Sequence, residues 1–199
     1  MSLTKQAKTL SKAQEKMINS YLVTKRNSLR NRIIFNLSVK AGLRAKEIAN
    51  LKWIHIIGND GELEDKIYLP NIASKGNSGR IIPLNSNLKA LIKEQYEIRM
   101  SEKRFDPLND YVIRTERSNR TTPQVIVNFF RGLYKELGLI GCSSHSGRRT
   151  FITSISQKIS TVGGSMRDVQ YLAGHTSLNT TQRYIEGCSE SKTKVVDLI

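Results

Sequence analysis

The sequence is poor in the residues that staple, anchor or metallate a chain. Its two cysteines, Cys142 and Cys188, have no close partner, which excludes a disulfide framework and suits a reducing cytosol. Proline occurs four times and tryptophan once, as Trp53. Apolar runs are short: the one from Ile54 to Ile57 is broken by His55, far below the roughly 20 residues that span a bilayer. The polar, basic N-terminus shows no secretory signal. Three histidines (His55, His145, His175) and scattered acids form no tight metal-ligand spacing, so no metal and no other cofactor is expected. A glycine-rich phosphate loop is also missing.

Acidic residues are scarce as well. Against 17 Asp and Glu stand 32 Lys and Arg, a net charge of +15 over 199 residues. Such an excess points to a polyanionic partner, most often nucleic acid. At 38% hydrophobic the chain has enough apolar content for a core, and its length suits one domain with at most a short extension. The charge is uneven. Residues 1–40 carry nine Lys and Arg against the single acid Glu15, about half of the whole surplus. That pattern fits a surface that follows a phosphate backbone without reading sequence.

Periodicity predicts a mainly α-helical α+β fold with a small antiparallel sheet of about three strands on one side. Ser11 and Gln14 form a capping box ahead of a stripe of Met17, Ile18, Tyr21 and Leu22. A second helix runs through Ile33, Ile34, Leu37 and Ala41 to Gly42, and a short third from Ala45 to Leu51. Strands are expected at Trp53 to Ile57, Lys66 to Leu69 and Arg80 to Leu84, with a strand-like piece at Tyr111 to Arg114. Helical patterns return at 86–101, 123–137, 144–160, 166–172 and 179–187. The expected organisation is a flexible segment 1–9, one domain over 10–187 and a tail over 188–199.

The informative residues are cations that continue apolar stripes. In the helix over 144–160, Ile152, Ile155 and Ile159 share a face, and helical steps backward reach Arg148 and His145. Arg148 therefore points inward and Arg149 to a polar face. A half-buried guanidinium needs an anion: either a buried carboxylate or an arriving ligand. Arg44 likewise precedes Ile48 and Leu51 on one face, with Glu47 placed to pair with it. Two such arginines and His145 fit a converging anion site, most simply for a phosphodiester. Lys75 sits in a Ser-Lys-Gly-Asn-Ser-Gly-Arg turn, where it is either a solvated lysine or a donor that reaches over a ligand. His175 follows Leu172-Ala173-Gly174, and Tyr184 lies nine residues later. Alone, each reads as a packing residue.

Taken in order, Gly42-Leu43-Arg44-Ala45-Lys46-Glu47-Ile48, Lys75, His145-Ser146-Gly147-Arg148, Leu172-Ala173-Gly174-His175 and Tyr184 resemble the catalytic domain of the tyrosine recombinase (phage integrase) family. The resemblance runs from about Leu10 to Glu186. Arg149 departs from the histidine that many members carry after the second arginine. The family usually has a helical DNA-clamping domain ahead of the catalytic one, so the chain is expected to be either a catalytic domain separated from its clamp or a short member without one.

The resemblance implies a site-specific recombinase or integrase that cuts and rejoins DNA through a 3′-phosphotyrosyl intermediate, without metal or ATP. Tyr184 would be the nucleophile. Arg44 and Arg148 would hold the non-bridging oxygens, and Lys75 would be the general acid. His145 would be a candidate base, His175 a phosphate hydrogen-bond partner and Glu47 an orienter of Arg44. It also implies double-stranded DNA as partner, a homo-tetramer in the synaptic complex but a monomer without DNA, and accessory DNA-bending proteins. The setting would be a bacterial or phage-encoded, nucleoid-associated cytoplasmic protein. The apolar tail Val195 to Ile199 would either fold onto its own domain or be exchanged with a neighbouring protomer. A type IB topoisomerase-like relaxase, an inactive DNA-binding regulator and, more distantly, a metal-free ribonuclease are the competing readings.

Overall fold

In the computed structural model of the chain, residues 6–71 and 79–184 are described. Lys75, the C-terminal end of the helix expected at 179–187 and the tail at 188–199 lie outside them. The chain divides into two compact units, residues 1–151 and 152–199.

The first unit contains α1 (Lys12–Val23), α2 (Ser28–Lys40), α3 (Ala45–Ala49), β1 (Lys66–Leu69), β2 (Arg80–Pro83), α4 (Ser86–Met100), α5 (Pro123–Glu136) and the opening turns of α6 (Ser146–Lys158). The capping box at Ser11 and Gln14 forms as expected and starts α1. Ahead of it, Lys8 N–H donates to Gly141 O at 3.0 Å and Leu10 N–H to Thr150 Oγ1 at 2.8 Å. α2 is the central helix: everything from Ile33 to Val39 is buried, and α1 and α4 pack on it. Its buried Asn36 is satisfied by Asn19 Oδ1 at 2.8 Å and Arg32 O at 2.9 Å, which meets the cost of enclosing an amide. α5 packs on α3, contributing Ile126, Phe130 and Leu133 to the core.

The sheet differs from expectation. It has two antiparallel strands, with Lys66 opposite Pro83 and Leu69 opposite Arg80. The stretch after Lys52 forms a 3-10 turn, Trp53–His55, flanked by isolated bridges Lys52 to Tyr111 and Ile57 to Leu63. Trp53 and Ile56 are fully buried while Ile54 is exposed, so burial recurs every three residues and not every two. That spacing matches a 3-10 turn, and the backbone bonds close locally, with Ile56 N–H donating to Trp53 O at 2.8 Å. Trp53 then anchors an aromatic cluster, with ring centroids 5.2 Å from Tyr96 and 5.9 Å from Phe105.

The second unit holds the rest of α6, a 3-10 turn at Ile159–Val162, α7 (Met166–Ala173) and the short α8 (Leu178–Gln182). Ser165 and Asp168 form a capping box at the start of α7. Gly174, at φ 58° and ψ 47°, ends it in the left-handed conformation that a residue with a β-carbon adopts at a cost. α7 and α8 pack together. Among the described residues, no helix is long and apolar enough to cross a membrane, and no group of three His, Cys, Asp or Glu could hold a metal.

Candidate active site

Arg44 is the N-cap of α3, in extended conformation. Three residues on, Glu47 is wholly buried, and its carboxylate turns back to the cap: Oε2 accepts the Arg44 backbone N–H at 2.7 Å and Oε1 the Arg44 Nη1 at 2.9 Å. The pairing expected from the spacing is therefore present. A second arginine joins it. Arg80, the first residue of β2, donates Nη1 to Glu47 Oε1 at 2.9 Å and Nη2 to Oε2 at 3.1 Å. Each carboxylate oxygen thus receives one bond from each arginine. The Arg80 side chain is 1% exposed and that of Arg44 26%. Burial pushes the Glu47 carboxyl up. The Arg80 bonds and charge, with the Arg44 N–H and charge, outweigh burial, so the group titrates below its ordinary 4.5.

Arg148 lies on the buried face of α6, as the helical steps from Ile152 require, and is 4% exposed. Its Nη1 donates to Gly42 O at 2.6 Å. That carbonyl is two residues before Arg44, so the first unit brings both arginines to the segment that opens α3. Gly42 has φ 65°, and a β-carbon there would lie 2.4 Å from Phe151 Cδ1. His145 departs from the stripe that predicted it. It lies one residue ahead of α6 and is exposed, not on the buried face. Its carbonyl accepts the Arg149 N–H at 2.9 Å, and its own N–H donates to Ser143 Oγ at 3.3 Å.

In the second unit, His175 and Tyr184 meet. Their rings stack with centroids 5.6 Å apart and planes 27° from parallel. His175 Nδ1 lies 3.0 Å from Oγ1 of the fully buried Thr181 in α8, and His175 N–H donates to Gln170 O at 3.1 Å. Tyr184 N–H donates to Thr181 O at 3.0 Å. Thr181 thus fixes both partners, one through its side chain and one through its backbone. Ser177 occupies the N-cap of α8.

Two residues escaped the sequence reading, Arg80 and Thr181. For Arg80 a signal existed. β2 reads Arg-Ile-Ile-Pro with Arg80 and Ile82 buried and Ile81 exposed, so strand alternation places the arginine on the inner face. The cationic surface expected over 1–40 is also trimmed. Lys12 and Lys40 pair with buried Glu15, Lys25 with Glu136 and Arg26 with Glu116.

The phage integrase family model matches residues 8–189. Relatives include tyrosine recombinase XerA of Thermococcus onnurineus, 30% identical over 155 residues, covering 78% of this chain and 50% of that protein. Tyrosine recombinase XerD of Listeria innocua is 29% identical over 188 residues, covering 90% and 59%. The chain therefore spans about half the length of the relatives it matches. In fold it is similar to a crystal structure of XerA recombinase, with TM-score 0.74 at 24% identity, covering 96% of this chain and 64% of that one. It is likewise similar to XerH site-specific recombinase bound to its difH substrate before cleavage, with TM-score 0.68 at 22% identity, covering 89% and 49%. With the family match running over nearly its whole length, the chain belongs to the phage integrase family.

Proposed function

We propose that this chain is the catalytic part of a site-specific DNA recombinase that cuts and rejoins strands through a 3′-phosphotyrosyl link. The observation that carries the reading is the local placement of the family's residues: Arg44 and Arg148 anchored at the head of α3, and His175 stacked on Tyr184. Tyr184 Oη attacks the scissile phosphorus and passes its proton to His145, since a phenol is mostly protonated at neutral pH. Arg44 and Arg148 take the charge that grows on the non-bridging oxygens, and His175 donates a hydrogen bond there. The bond to the 5′-oxygen breaks as Lys75 protonates it. Attack by a partner strand's 5′-hydroxyl reverses these steps, with the bond energy held in the phosphotyrosine, so that neither metal nor ATP enters. The partner is double-stranded DNA. The working assembly is a homo-tetramer formed on two duplexes from a monomer, in a cytoplasmic, nucleoid-associated setting with DNA-bending helpers.

Incubation with two labelled duplexes that carry the cognate site tests the reading. Strand exchange between them is expected. Relaxation of supercoiled DNA with no exchange would assign the topoisomerase-like activity in its place.

A further inference from the structure

The carboxylate of Glu47 cannot serve Arg44 alone without consequence. A guanidinium closed on one carboxylate is a neutral pair, and a neutral pair has little pull on a phosphate. The first unit avoids this with Arg80, whose fork meets both oxygens of Glu47 from inside the core. The group of three then carries one net positive charge. Its members differ in access: Glu47 and Arg80 are enclosed, whereas Arg44 is a quarter exposed.

We propose that Arg80 is a positioning residue for cleavage: by neutralising Glu47 it leaves Arg44 oriented by the carboxylate and still charged toward the scissile phosphate. The inference rests on the assignment of Arg44 to that phosphate. Arg80 touches no reacting atom. It acts from the strand that begins five residues after Lys75, so the same β2 that follows the lysine in sequence also secures the arginine at α3. A buried arginine tied only to core packing would have no such effect on charge at the site.

The test uses the full chain and a nicked duplex that traps the covalent adduct, with the rate read at saturating protein. Arg80→Met should slow adduct formation about 100-fold, as expected when a catalytic group is displaced or discharged, with little change in DNA Kd. Arg80→Lys, which keeps the charge but loses the fork, should fall between Arg80→Met and wild type. Two readouts separate positioning from mere packing. Glu47→Gln combined with Arg80→Met buries no unpaired charge and restores the net charge to Arg44, so it should be faster than Arg80→Met alone. A methylphosphonate at the scissile position removes one oxygen charge, so it should shrink the Arg80→Met defect as it shrinks that of Arg44→Ala. A wild-type rate in Arg80→Met overturns the inference. So does a defect that neither the double substitution nor the neutral diester relieves. A wild-type chain that forms no adduct would instead overturn the recombinase reading beneath it.

Discussion

Gly42→Ala places two costs on one added carbon. At φ 65° the backbone is left-handed, a conformation that costs a residue with a β-carbon about 1–2 kcal/mol. The new methyl would also lie 2.4 Å from Cδ1 and 2.9 Å from Cε1 of Phe151, well inside contact distance. Overpacking of this kind costs about 1–3 kcal/mol once neighbours have shifted. Together these give about 2–5 kcal/mol, a large share of the roughly 5–15 kcal/mol that holds a domain folded. The assay is urea denaturation followed by the fluorescence of Trp53, which is buried in the same unit. The midpoint should drop with an unchanged slope. Adding Phe151→Ala removes the clash but not the backbone cost, and the two substitutions should prove non-additive. Because Gly42 O holds Arg148 at 2.6 Å, the single variant should also cleave more slowly than its stability loss explains. A Gly42→Ala chain within about 0.5 kcal/mol of wild type would refute both the strain and the close approach.

Two further outcomes follow from the site. Lys75→Ala should lose cleavage of a normal diester but recover it on a substrate whose 5′-bridging oxygen is sulfur, a leaving group that needs no acid; no recovery would remove Lys75 from the general-acid role. The lowered Glu47 pKa makes stability depend on acid. The carboxylate's contribution is complete above the ordinary value of 4.5 and is withdrawn as pH falls through the lower folded value. Glu47→Gln should therefore flatten the acid limb of a thermal-melting profile, and an unchanged limb would show that other groups control it.

Local signals made much of the fold legible. The Ser11 and Gln14 box, the Ile18 and Leu22 members of the α1 stripe and the turns at Gly42 and Gly174 all lie within a few residues of what they control, whereas Met17 of that stripe is exposed and Glu15 takes a buried place. Arg44 and Glu47 were readable for the same reason, being one helical turn apart. The failures have separate causes. Trp53 to Ile57 looked like a strand because β-branched residues dominate it, but the depth to which Trp53 is packed selects a tighter turn. His145 lay on the extrapolated stripe of α6, yet the helix begins one residue later and the extrapolation fails. Arg80 reaches Glu47 across 33 positions, a pairing that no local period encodes. Arg148 was correctly placed inward, but its Gly42 carbonyl lies 106 positions away and became visible only in the fold.

The most direct measurement is covalent trapping. Wild-type chain mixed with a nicked duplex should give a denaturant-resistant adduct whose peptide map places the 3′-phosphate on Tyr184. Tyr184→Phe should bind the same duplex and give none. An adduct that persists in Tyr184→Phe, or that maps to another residue, would contradict the account.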